Sequence, residues 1–301
     1  MKNKIFTGAG VAIVTPFKEK DGNPTGAVDY DRLGELIEMQ ITGGTDAIII
    51  CGTTGEASTM PDEEHLAVIK YAIDKTAKRI PVIAGTGSND THHAVKLSME
   101  AERLGADAIL SVTPYYNKTT QKGLVAHFEA IANSISIPVI LYNVPGRTGV
   151  NIEPATYEKL CKIPNINAVK ECNLAQMPET VKRCGDELYI YTGEDGQVFY
   201  PTAAGGLGVI SVLSNVAPKY MHDLVWTIKN GNIEEGWKMQ LGCLDLVKAM
   251  FCEVNPIPVK EALNILGYNV GGCRLPLVAM TDEHKAYLTD TLAAFGFDVK
   301  R

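Results

Sequence analysis

Ala47-Ile48-Ile49-Ile50-Cys51 runs directly into Gly52-Thr53-Thr54-Gly55-Glu56. Five apolar residues in a row leave no polar face, so the segment fits a strand covered on both sides, as in a parallel sheet. The glycines behind it end the strand in a tight polar turn. The same punctuation recurs along the chain. Strands are expected at 11–15 (within a first barrel segment 10–17), 47–51, 82–85, 108–112, 139–142, 168–170, 188–192 and 209–212. Helical periods lie between them. Leu33, Leu36, Ile37 and Ile41 follow i, i+3, i+4, i+8, Leu66, Ile69 and Ile73 follow i, i+3, i+7, and Leu124, Phe128, Ile131 and Ile135 do likewise.

Eight strands separated by helices over roughly 220 residues match the size of an α/β fold of the (β/α)8 TIM-barrel type. Gly85-Thr86-Gly87 follows a strand, but no third glycine stands at the dinucleotide fingerprint spacing, which disfavours an open Rossmann sheet. From about Asn232 the strand signal stops and helices are expected at 236–253, 259–266 and 282–295. The expected organisation is a catalytic barrel over 1–231 and a C-terminal helical domain over 232–301.

Composition narrows the function classes. The chain has 301 residues, 46% hydrophobic and 21% charged, ordinary globular values that permit a large core. A formal charge of −7 argues against a nucleic-acid partner, which needs a clustered positive field. No apolar stretch approaches the ~20 residues of a membrane span. Behind Met1-Lys2-Asn3-Lys4 the apolar run is interrupted by Thr7, Gly8 and Gly10 and stopped by Pro16, so it reads as a first strand rather than a signal peptide. A soluble cytoplasmic protein is expected. Seven cysteines without a CxxC pair fit reduced thiols, and His92 beside His93 lacks ligand spacing for zinc, so no metal is expected.

In a (β/α)8 barrel the reacting groups sit at the C-terminal ends of strands. Lys170 closes the apolar pair Ala168-Val169. Burial there disfavours the ammonium, and a neutral amine can attack a carbonyl to form an imine; position alone favours a surface lysine at a strand end. Tyr142 ends the preceding strand, where a phenol can shuttle protons or simply pack in the core. Thr53 and Thr54 offer amides and hydroxyls for a small carboxylate, or are only a turn. Arg147 offers a fork for a second carboxylate, or is a surface residue.

The set resembles a known family. Thr53-Thr54 within GTTGE, Tyr116 within TPYYN, Tyr142 to Arg147 within YNVPGRTG, Lys170 within VKE, and the Asn255-Pro256-Ile257-Pro258-Val259-Lys260 and Arg274-Leu275-Pro276 segments are similar to the dihydrodipicolinate synthase family. These are pyruvate-dependent class I aldolases of bacterial and plant lysine biosynthesis. The resemblance covers essentially the whole chain. It implies that Lys170 binds pyruvate as a Schiff base and that Tyr142, Thr54 and Tyr116 relay protons, Tyr116 from a neighbouring subunit. It implies that Thr53 and Thr54 hold the pyruvate carboxylate near the Gly193 and Ile210 backbone. Arg147 would then meet the carboxylate of L-aspartate-4-semialdehyde, the second substrate on the way to 4-hydroxy-tetrahydrodipicolinate in the diaminopimelate route. It implies a homotetramer built as a dimer of dimers, and no cofactor, because the imine itself is the electron sink.

Departures from the family pattern carry further expectations. Cys172 follows Lys170-Glu171 where small residues with a glycine are common, and is expected to be a buried structural thiol, with a place against the active site as the alternative. Lysine-inhibited relatives carry polar and acidic groups at positions matching Ala57, Ser58, Asp62, His65, Asn89, His93 and Tyr115. His93 replaces a common glutamate and Asp62 a common histidine, so feedback by L-lysine is expected to be weak or absent. Glu56 is expected to brace its turn, Lys260 to be structural and far from the strand ends, and Trp226 and Trp237 to pack or form interfaces. Two rivals remain open at this point. One is an aldolase for N-acetylneuraminate or a 2-oxo-3-deoxy sugar acid; the other is a non-catalytic barrel that binds small carboxylates.

Overall fold

Eight short parallel strands close on themselves in sequence order: β1 (Gly8–Ala12), β2 (Ala47–Ile50), β3 (Val82–Gly85), β4 (Ala108–Val112), β5 (Val139–Asn143), β6 (Ile166–Glu171), β7 (Tyr189–Thr192) and β8 (Gly208–Ser211), with β8 pairing back onto β1. This computed structural model describes residues 2–19 and 26–299. Met1, residues 20–25 and residues 300–301, which include both outer ends of the expected domain division, lie outside it. The barrel helices are α1 (Tyr30–Thr42), α2 (Asp62–Thr76), α3 (Thr91–Leu104), α4 (Gln121–Asn133), α5 (Pro145–Thr148), α6 (Pro154–Leu160), α7 (Met177–Cys184), α8 (Phe199–Ala203) and α9 (Pro218–Lys229). After them come α10 (Ile233–Gly242), α11 (Leu244–Met250), α12 (Ile257–Ile265) and α13 (Asp282–Phe295). Among the described residues no helix is long and apolar enough to cross a membrane.

The continuous apolar run over 47–51 is explained by two separate cores. Ala47 and Ile49 join Ile83, Leu110, Ile140, Ala168 and Ile210 inside the barrel. Ile48 and Ile50 point the other way and pack under the helices. Period-two alternation thus persists, with both faces apolar. Burying each isoleucine contributes about 1.5–3 kcal/mol relative to leaving it in water. Local signals set the helix ends. Asp29 accepts from the Arg32 amide to start α1, Asp90 from His92 to start α3, and Thr120 from Gly123 to start α4.

Three expectations shift. The first strand occupies Gly8–Ala12 rather than 11–15. Its register with β8 pairs Gly8 with Gly208, and a Cβ on Gly208 would stand 1.8 Å from the Gly8 carbonyl oxygen. Only glycine permits that approach, and glycine carries no hydrophobic signal. β2 stops at Ile50 because Cys51 turns to φ +54. The helix expected over 236–253 is two helices, α10 and α11, parted at Cys243 behind the weak helix former Gly242. By contrast, α13 spans the expected 282–295.

Candidate active site

β5 and β6 pair Tyr142 with Lys170 and Asn143 with Glu171. Ala168 faces the barrel interior, so Lys170, two residues on, faces it too. The side chain is 6% exposed, and its Nζ stands 4.5 Å from the centroid of the Tyr142 ring. Burial pulls the ammonium below the ordinary lysine value; the Cys172 thiol and the Asp195 and Glu194 carboxylates oppose that only in part. Burial likewise lifts the Tyr142 hydroxyl, which stays protonated and able to donate. Gly193, at the end of β7, makes room for the amine: a Cβ there would lie 2.9 Å from Lys170 Cε and 2.4 Å from Cys172 Sγ.

The turn after β2 brings the threonines to the same place. Non-glycine residues with left-handed backbone bound it, Cys51 at φ +54 and Glu56 at φ +56, at a cost of order 1–3 kcal/mol each. Buried bonds hold it. Thr15 Oγ1 donates to the Gly55 carbonyl at 2.7 Å, and Lys260 Nζ donates to Glu56 Oε1 at 2.8 Å. Thr54 is buried and its Oγ1 accepts from Asn255 Nδ2 at 2.9 Å; Thr53 is exposed.

Thr53, Thr54, Tyr142, Arg147, Lys170 and Gly193 line one cavity of about 60 Å³. It opens beside a wider one of about 390 Å³ that shares Gly52, Thr53, Leu110, Tyr142, Val144 and Arg147 with it. Arg147 rides on α5, exposed where the two meet. The wider cavity is also lined by Ala57, Ser58, Asp62, His65, His93 and Tyr115. There His93 Nε2 meets Asp62 Oδ1 at 2.9 Å.

Two sequence candidates stand apart. Ile210 is fully buried on β8, with its side chain in the barrel interior. Tyr116 is 91% exposed, at φ +68, and lines neither cavity. One open alternative is decided and one expectation is corrected. Cys172 does abut the small cavity; burial raises it to about 12, so it stays protonated. Lys260 is not far from the strand ends, because it reaches back to the Glu56 turn, and Glu56 does brace that turn, through this ion pair.

Residues passed over in the sequence surround the site. Glu171 turns away from the cavity, 1% exposed, and its carboxylate accepts from Asn143 Nδ2 at 2.7 Å, the Asn173 amide at 2.7 Å, Tyr157 Oη at 2.8 Å and Gln176 Nε2 at 2.9 Å. The register pair Asn143–Glu171 therefore clamps the two strand ends whose inner faces carry Tyr142 and Lys170. Asp195 Oδ2 accepts from the Val212 and Leu213 amides and fixes the loop behind β8. Asn255 comes from the segment leading into α12. Among the described residues no group of three His, Cys, Asp or Glu side chains is disposed to hold a metal.

A desolvated amine at the mouth of a (β/α)8 barrel, beside a protonated phenol and a polar turn, defines the aldolase-type lyases. The model of the Dihydrodipicolinate synthetase family matches residues 5–295, and the chain belongs to that family. It is a lyase of lysine (diaminopimelate) biosynthesis. It is 61% identical over 296 residues to the 4-hydroxy-tetrahydrodipicolinate synthase of Acetivibrio thermocellus, covering 98% of this chain and 99% of the relative. The crystal structure of dihydrodipicolinate synthase from Aquifex aeolicus superposes with a TM-score of 0.94 at 43% identity, over 98% of this chain and all of that one. The chloride-inhibited dihydrodipicolinate synthase of Acinetobacter baumannii complexed with pyruvate gives 0.93 at 42%, over 98% and 100%.

Proposed function

We propose that this enzyme condenses pyruvate with L-aspartate-4-semialdehyde to give 4-hydroxy-tetrahydrodipicolinate, through a Schiff base on Lys170. The observation that carries the reading is the buried amine, held below its ordinary pKa in a cavity sized for a small acid. The neutral Nζ attacks the keto carbon, and the resulting carbinolamine loses water to give the iminium. Thr53 and Thr54 hold the pyruvate carboxylate, with the Gly193 and Ile210 backbone alongside. Tyr142 and Thr54 pass protons to and from the carbinolamine oxygen. Loss of a methyl proton gives the enamine, whose carbon attacks the aldehyde while Arg147 pairs with the second substrate's carboxylate. The substrate amino group then closes the ring and expels Lys170. The iminium serves as electron sink, so no cofactor enters the scheme. The family kinship and the pyruvate bound by the Acinetobacter baumannii relative support the choice of substrates.

Tyr116 completes the relay from a second copy of the chain. Its exposure on the single chain accords with that role, and a cytoplasmic dimer of dimers is the proposed assembly. Changing Tyr116→Phe should lower kcat about 10²-fold while weakening pyruvate binding much less; unchanged turnover removes Tyr116 from the relay. L-lysine should inhibit weakly or not at all, because Asp62 and His93 are bound to each other in the wider cavity. Strong inhibition at sub-millimolar lysine in a steady-state assay would overturn that.

The decisive experiment is borohydride reduction in the presence of pyruvate. A mass increment on Lys170 is expected. No increment would favour a barrel that merely binds small carboxylates, and turnover of N-acetylneuraminate or 2-oxo-3-deoxy sugar acids in place of aspartate semialdehyde would favour the sugar-acid aldolase.

A further inference from the structure

A buried asparagine normally satisfies both ends of its amide. Asn215 does so: its Nδ2 donates to the carbonyls of Ala12 and Val212, and its Oδ1 accepts from the Val14 amide. It ties β1 to β8 and serves the fold. Asn255 is also buried, 5% exposed, but it is wired differently. Its Nδ2 donates to Thr54 Oγ1 at 2.9 Å, while its Oδ1 has no partner among the described residues. The side chain lines the small cavity together with Thr54, Tyr142 and Lys170.

A threonine hydroxyl has one proton and two lone pairs. An amide nitrogen donates and does not accept, so Asn255 occupies a lone pair of Thr54 and leaves its single proton to be offered in another direction. We infer that Asn255 is a positioning residue, carried by the turn between α11 and α12, that fixes the Thr54 hydroxyl so that its proton is presented to the chemistry at Lys170. This rests on the Schiff-base reading above.

The surroundings fit the assignment. The turn bearing Thr54 is bounded by left-handed Cys51 and Glu56 and closed by its own backbone bonds, the Gly55 amide to the Gly52 carbonyl and the Glu56 amide to the Thr53 carbonyl, both at 3.1 Å. The C-terminal segment clamps it at further points: Lys260 Nζ on Glu56 Oε1, and the Arg274 amide on Glu56 Oε2 at 2.8 Å. Those bonds place the turn; the bond from Asn255 is the one that reaches a hydroxyl lining the cavity. The C-terminal helices therefore belong to the machinery of the barrel rather than forming a separate appendage.

A double-mutant cycle on the full-length enzyme tests this. Asn255→Ala and Thr54→Val are made singly and together, and the rate of borohydride-trappable imine formation with pyruvate is followed beside the KM for pyruvate. Asn255→Ala should slow imine formation about ten- to a hundred-fold, with a smaller change in KM. In the Thr54→Val background the same change should have almost no further effect, because residues that act through one another are not additive. Equal slowing in both backgrounds overturns the inference, as does a wild-type rate in Asn255→Ala. Asn255→Asp is nearly isosteric and covers the case in which Asn255→Ala fails to fold. A carboxylate accepts where the amide donated, turns the Thr54 proton away, and should slow imine formation at least as much; a wild-type rate again overturns the inference. Absence of imine in the wild-type enzyme would instead sink the Schiff-base reading, and this inference with it.

Discussion

Lys170 and Lys260 are both sunk into the C-terminal end of the barrel, 6% and 1% exposed, and burial depresses both ammonium groups. They differ in what stands opposite. Lys260 Nζ has Glu56 Oε1 at 2.8 Å, the Thr15 carbonyl at 3.0 Å and the Gly272 carbonyl at 2.5 Å, with the Phe17 ring at 4.3 Å. Lys170 has the face of Tyr142, and the Asp195 and Glu194 carboxylates bear on it through charge alone. All three donor positions of Lys260 are engaged, so it is a strut. Lys170 is desolvated without a bonded carboxylate, so burial pulls its pKa down with no ion pair to hold the proton. The same side chain thus serves as scaffold in one place and, in the proposed reaction, as nucleophile in the other, according to whether a carboxylate meets it.

The largest expected effect tests the nucleophile half of that comparison. Lys170→Ala should abolish the trappable imine and lower turnover by about 10⁴-fold or more. It should not lower the melting temperature, since the amine anchors nothing. A destabilised Lys170→Ala protein, seen by calorimetry, would make Lys170 a strut as well. The strut half is tested next. Lys260→Met leaves the buried Glu56 carboxylate without its bonded ammonium, the Arg274 amide remaining on Oε2, and should cost about 3–5 kcal/mol in urea unfolding. A loss below about 1 kcal/mol would dissolve the distinction.

Adding Glu56→Gln to Lys260→Met sharpens the point with a smaller number. The lone buried charge disappears, and the new amide oxygen can still accept from the Arg274 backbone. The Thr15 and Gly272 carbonyls still lose their donor, so a residual cost of about 1–3 kcal/mol should remain, below that of the single change. A double variant less stable than Lys260→Met alone would show that the carboxylate braces the turn without needing the lysine.

What was legible in the sequence follows local period. The strand alternation and the inward direction of Lys170 are encoded within a few residues, so the barrel and the place of its buried amine could be read directly. Gly208 escaped because its role depends on Gly8 in the first strand. Lys260 was misplaced and Asn255 was given no role for a related reason. Their partners, Glu56 and Thr54, lie 204 and 201 residues away, and no periodicity spans such a gap. Glu171 carries no such signal, because its four donors come from β5, α6 and the turn behind β6. Tyr116 entered only through family resemblance, and the single chain leaves it at the surface.

The mildest test of the two lysines uses pH. Imine formation needs the neutral amine, and burial places the Lys170 pKa below the ordinary lysine value. The initial trapping rate should therefore climb about tenfold per pH unit on the acid side of that lowered value and level off before the ordinary lysine range is reached. Stability is linked with a definite sign. Between the folded and unfolded pKa values the unfolded chain binds more protons, so this contribution is complete above the ordinary value and is lost as pH falls through the folded one. Lys260 titrates with the same sign, but its proton is held by Glu56. The Lys170 share is thus the difference between wild type and Lys170→Ala, measured by urea unfolding across alkaline pH. A trapping rate still rising tenfold per unit within the ordinary lysine range would mean that the amine is solvated, and the contrast with Lys260 would then reduce to pairing alone.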